Sequence, residues 1–66
     1  MNWTPARIKS LRKRYAERQE EFCLRFRVSI QAVQTWEQGK GEPSGPVTVL
    51  LDQLEAAIAE QELQPA

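Results

Sequence analysis

Histidine is absent from this 66-residue chain, and cysteine occurs once, at Cys23. A structural zinc site needs four Cys or His ligands, so that class is excluded. Nucleophile pairs in which histidine activates a serine or cysteine are excluded with it. A single cysteine makes no internal disulfide, which fits a reducing compartment. Carboxylate pairs exist, but so small a domain encloses little pocket. The expectation is therefore no enzyme, no cofactor, no metal and no small-molecule ligand. Long apolar runs are also missing, and nothing approaches the roughly eighteen consecutive residues of a membrane span. The N-terminus carries charge where a signal peptide needs an apolar stretch. A cytoplasmic protein without membrane contact is expected.

What the chain does have is an ordinary apolar content, 41%, enough for one folded domain. A core this small leaves the domain only marginally stable, and pairing with a second copy would help. The net charge is zero, but its distribution is lopsided. Residues 1–27 hold eight basic residues (Arg7, Lys9, Arg12, Lys13, Arg14, Arg18, Arg25, Arg27) against Glu17, Glu20 and Glu21, a surplus of +5. Residues 28–66 hold Lys40 against Glu37, Glu42, Asp52, Glu55, Glu60 and Glu62, a deficit of −5. Such asymmetry points to a polyanion on one side of the molecule; random surface charge is the plainer account.

Strand signals are absent, so the fold class is all-α. Thr4 is an N-cap candidate and Pro5 suits a first helical position, with Ile8, Leu11 and Tyr15 at helical spacing after them; a helix over about 5–16 follows. Phe22, Cys23 and Phe26 make one apolar stripe of a helix over 19–26. Ser29 caps a third helix over 30–37, and Gly39 stands where a helix closes in a left-handed turn. Residues 40–45, Lys-Gly-Glu-Pro-Ser-Gly, form a loop by composition. From Pro46 a longer stripe (Val47, Leu50, Leu51, Leu54, Ala57, Ile58) predicts either one helix over 46–61 or two with a break near Leu51-Asp52. The domain thus spans 1–63 with four or five helices, and residues 64–66 fray.

Two short helices joined by a tight turn, over 19–37, form a helix-turn-helix. Phe22, Cys23, Phe26, Val28, Val33 and Trp36 can share one inward seam. That geometry frees the outer face of the third helix. Cys23 reads best there as a small buried hydrophobe.

The chain resembles the Cro/C1-type, or XRE-family, helix-turn-helix repressors. The resemblance rests on Gln19-Glu20-Glu21-Phe22-Cys23, Val28-Ser29, Ala32-Val33, Trp36-Glu37, Gly39 and Pro43-Ser44, similar to the family's SQEELA, GVS, TVS, WE, G and PS. It covers about 3–55, including the opening Trp3-Thr4-Pro5. It implies a lambda-repressor-like domain of five, or here four, helices that binds double-stranded DNA, usually as a dimer on an inverted repeat. By position it implies base contacts for Ile30, Gln31, Gln34 and Thr35, and phosphate contacts for Gln19, Ser29 and Lys40. Trp36 aligns with a core position. Two departures stand out. Arg27 occupies a turn position where the family often has glycine, and a left-handed backbone there would cost it roughly 1 kcal/mol. Arg18 replaces the usual Ser/Thr cap of the second helix, weakening it by about 1 kcal/mol. Both arginines add positive charge beside a DNA backbone.

The chemistry of that face is consistent with reading. Glutamine can pair bidentately with the N6/N7 edge of adenine, Thr35 can hydrogen-bond several base edges, and Ile30 can touch a thymine methyl. Low charge is useful there, because charge alone binds any sequence. The same residues also fit an ordinary solvated helix surface. Leu54 and Ile58, further along the last stripe, are expected to form a homodimer interface. The expected function is a transcriptional repressor of its own operon, bacterial or phage-encoded. Such lone domains include Cro-like repressors, antitoxins, restriction–modification controllers and regulators beside anti-CRISPR genes, and the sequence does not choose among them. The alternative is a protein-interaction module, antitoxin-like, that uses the Leu/Ile stripe; RNA binding by the basic face is a third reading.

Overall fold

A computed structural model of the chain describes residues 3–63, so the expected fraying of 64–66 lies outside the described residues. Four helices follow one another: α1 (Pro5–Arg14), α2 (Gln19–Phe26), α3 (Ile30–Gln38) and α4 (Gly45–Leu63). There is no strand among the described residues. Each start has a local cause. The Thr4 hydroxyl oxygen accepts the Arg7 N–H at 3.2 Å, and Pro5 takes the first position. The Ser29 hydroxyl oxygen accepts the Ala32 N–H at 3.2 Å. Arg18 has no acceptor to offer the start of α2. The Glu21 carboxylate supplies the reciprocal contact instead, accepting the Arg18 backbone N–H at 2.9 Å, which is half of a capping box.

The first three helices end alike. At Ala16, Arg27 and Gly39 the backbone turns left-handed, with φ of 56°, 55° and 76°. The next N–H reaches back across the turn: Glu17 to the Arg12 carbonyl, Val28 to Cys23 and Lys40 to Thr35, at 3.0–3.2 Å. These closures satisfy carbonyls that the helix leaves open. They also make α1 shorter than the expected 5–16, since Tyr15 and Ala16 form the closing turn.

Of the four or five helices expected, four are present among the described residues, the last stripe forming one helix. No Gly or Pro interrupts the chain between Pro46 and Leu63, and Leu51, at the suspected break, is fully buried. Asp52 accepts the Trp3 indole N–H at 2.8 Å, fixing that turn against the start of the chain.

Ile8, Leu11, Phe22, Val33 and Leu51 form the fully buried centre. Burying one such side chain stabilises by about 1.5–3 kcal/mol. Phe26 stands edge-on between Phe22 and Trp36, with centroids 5.0 and 5.9 Å away. Trp3 is also buried, and the Arg7 guanidinium lies 3.8 Å over its ring. The Tyr15 hydroxyl donates to the Leu54 carbonyl at 2.7 Å. Ile58 belongs to this core, 8% exposed. It lies on the same face of α4 as Val47 and Leu51, so the chain itself already uses it.

Candidate nucleic-acid interface

The three residues Arg27-Val28-Ser29 connect α2 to α3. Val33 and Trp36 point α3 inward, with Ala32 partly buried beside them. A helix turns about 100° per residue, so Gln31, Gln34 and Gln38 fall on the opposite side. Gln31 and Gln38 are exposed, Gln34 and Thr35 half-buried, and Ile30 exposed at the N-terminal end. Four of the residues singled out from sequence (Ile30, Gln31, Gln34, Thr35) thus share one outward surface. Gln38, the last residue of α3, completes its row at i, i+3 and i+7.

The surface is chemically specific in one respect. The Thr35 hydroxyl donates to the Gln31 carbonyl at 2.8 Å, one turn back. Its proton is therefore committed, and its oxygen faces outward as an acceptor. A Cβ on Gly41 would come 2.9 Å from the Thr35 methyl carbon, so residue 41 must stay small for the loop to pass.

The charges around α3 divide into two sets. Most arginines of the basic half are spent inside the molecule. Arg7 pairs with Glu55 at 2.6 Å, Arg14 with Glu62 at 2.5 Å, Arg25 with Glu17 at 2.7 Å and Arg12 with Glu37 at 2.8 Å. Hydrogen bonds to these carboxylates raise the pKa of Arg7, Arg14 and Arg25 above the ordinary arginine value. The bond from Arg14 likewise holds Glu62 below the usual carboxylate range. The second set is available: Lys9, Lys13, Arg27 and Lys40 have no ion-pair partner among the described residues. Arg27 stands just before α3 and Lys40 just after it, both exposed. Arg18 is 83% exposed in its side chain and makes only a loose 3.7 Å contact with Glu20. Glu20 and Glu21, both exposed, weaken the positive field there.

Of the other phosphate candidates, Ser29 uses its oxygen as the cap of α3 and keeps only its O–H to donate. Gln19 donates from Nε2 to the Glu37 carboxylate at 3.2 Å. Leu54 is partly buried against the core, and Ile58 is part of it. The apolar side chains that α4 leaves outside are Val49, Leu50 and Leu63. Leu50, Gln53, Leu54 and Ala57 line a shallow cavity of about 370 Å³ with Arg25 at its edge. Sequence reasoning missed the buried Trp3, whose indole N–H finds its partner, Asp52, 49 positions away. It also missed the arginine–carboxylate pairs, because partners 8, 25 or 48 positions apart leave no one-turn helical pattern.

No helix among the described residues is long and apolar enough to cross a membrane, and no group of three or more potential metal ligands occurs among them. No family model matches the chain, and no curated protein or solved structure matches it either.

Proposed function

We propose that this chain is a lambda-repressor-like, XRE-family helix-turn-helix protein that binds double-stranded DNA sequence-specifically and represses its own operon. The observation that carries this reading is the outer face of α3. It is uncharged and offers Gln31, Gln34 and Gln38 in one row, with unpaired cations, Arg27 and Lys40, at its two ends. Amide groups read base edges, and flanking cations hold phosphates without sequence preference. In this reading Ile30, Gln31, Gln34 and Thr35 face bases. Arg18, Arg27, Ser29, Lys40 and Gln19 face the backbone.

A dimer on an inverted repeat would place two α3 helices about 34 Å apart, one turn of DNA. The side of α4 at Leu50, Gln53, Leu54 and Ala57 carries no charge of its own and suits a two-fold contact, with Arg25 beside it already paired to Glu17. The same groove favours a second reading, an antitoxin-like module that seats a partner protein.

The test is an anisotropy titration against the DNA immediately upstream of the gene, with scrambled DNA beside it, at two salt concentrations. A preference of roughly a thousandfold or more for the native sequence is expected. Gln31→Ala should cost about 1–3 kcal/mol of that specific affinity. Weak, equal binding to both duplexes with the same steep salt dependence would sink the reading and leave only an electrostatic patch.

A further inference from the structure

The Glu37 side chain is only 5% exposed, although α3 carries it beside the candidate DNA surface. A buried carboxylate must be answered by charge and hydrogen bonds. Arg12 does so with two parallel bonds, Nε to Oε2 at 2.8 Å and a terminal nitrogen to Oε1 at 3.1 Å. Arg12 is itself anchored, donating to the Glu17 carbonyl at 2.9 Å. A third donor completes the cluster: Gln19 Nε2, from the first residue of α2, reaches Oε1 of Glu37 at 3.2 Å.

This last bond has a geometric consequence. An ionised carboxylate only accepts, so the amide nitrogen and not the amide oxygen must face it. One N–H of Gln19 is committed inward. The second N–H and the carbonyl oxygen turn away from Glu37 and have no partner among the described residues. A glutamine on an open surface has several rotamers and two amide orientations, and ordering it on binding carries an entropic cost. Here that ordering is already done. Arg12 also cancels the charge of Glu37, so an approaching phosphate meets no bare anion.

We infer that Arg12 and Glu37 are positioning residues for Gln19, which presents its outward N–H to a phosphate oxygen of the DNA. The inference rests on the DNA-binding reading above. Neither Arg12 nor Glu37 touches the nucleic acid; both act through the glutamine.

The experiment is a double-mutant cycle on the upstream duplex with wild type, Gln19→Ala, Glu37→Gln and the double variant. Gln19→Ala should weaken binding roughly tenfold, as expected for a hydrogen bond to a charged acceptor. Glu37→Gln should weaken it similarly in the wild-type background and not at all in the Gln19→Ala background. A purely structural role for Glu37 would give equal losses in both backgrounds, and that result overturns the proposal. Side-chain amide NMR of the unmodified protein is independent of whether the variants fold. The two Nε2 protons of Gln19 should be inequivalent, one slow to exchange in the free protein and the other shifting when the duplex is added. Averaged, fast-exchanging protons would overturn the proposal. Specific DNA binding with additive losses defeats this inference alone. Absence of specific DNA binding defeats the inference together with the reading beneath it.

Discussion

Helices α2 and α3 meet over Phe22, Cys23, Phe26, Val33 and Trp36, a dry seam with two edge-on aromatic contacts. Helices α1 and α4 are joined differently. Ile8, Leu11, Leu51 and Ile58 lie beneath, and Arg7–Glu55 and Arg14–Glu62 clasp the outside, seven residues apart on both helices. The first contact depends on shape and exclusion of water. The second adds charges that water and salt can reach. The contrast bears on function. Arginines that look like a polyanion site in the sequence hold α4 to α1, while the cations beside α3 are few and unpaired.

The comparison breaks most easily in the seam. Phe22 is fully buried, with Phe26 5.0 Å away, so Phe22→Ala removes a ring that nothing can replace. The expected loss is about 3–5 kcal/mol by urea denaturation. In a domain this small that should leave much of the population unfolded. A loss under about 1 kcal/mol would mean that the seam is not the centre of the fold.

Next comes the most enclosed ion pair among the described residues. Arg12→Met leaves the Glu37 carboxylate, 5% exposed, without its counter-charge. About 3 kcal/mol of stability should be lost. Replacing both partners, Arg12→Met with Glu37→Leu, should recover most of that loss, because no uncompensated charge remains. Urea midpoints of the single and double variants check the pattern; equal losses in both would contradict it.

How much of this was legible beforehand depended on distance along the chain. Thr4, Ser29 and Gly39 act through neighbours three or four residues away, and each does what its local signal predicts. The stripe Phe22, Cys23, Phe26 was readable for the same reason. Ile58 was not, because Leu54 and Ile58 carry the same helical signal and only the packing of α1 decides which is covered. Trp3 and Asp52 lie 49 residues apart, and no period links them. The outward row of α3 could be read from spacing. The identity of the free cations could not, since it depends on which carboxylate each arginine finds.

A smaller change sharpens the difference between local backbone and surface charge. Arg27 holds φ at 55° with its side chain exposed. Arg27→Gly should stabilise the fold by about 1 kcal/mol, since glycine takes this conformation without the steric cost of a Cβ. The same change should weaken DNA binding across all sequences and reduce the salt slope by about 1. A gain in stability with DNA affinity untouched would remove Arg27 from the phosphate contacts and keep its backbone role.

The smallest effect lies in the outer clasp. Glu62 is held below the usual carboxylate range by its hydrogen bond from Arg14. A carboxylate depressed in the folded state binds its proton more readily when unfolded, so its contribution is present above the ordinary carboxylate value. That contribution is lost as pH falls through the lowered, folded value. Wild type should therefore melt slightly above Glu62→Gln at neutral pH, and the gap should close on acidification through the carboxylate range. It should close at neutral pH in 1 M salt as well, because the pair is exposed enough to be screened. Melting curves at neutral and acidic pH, with and without salt, measure both. Should the gap survive strong salt, the pair would be acting through packing of the Arg14 stem on α4, and the clasp would belong with the seam after all.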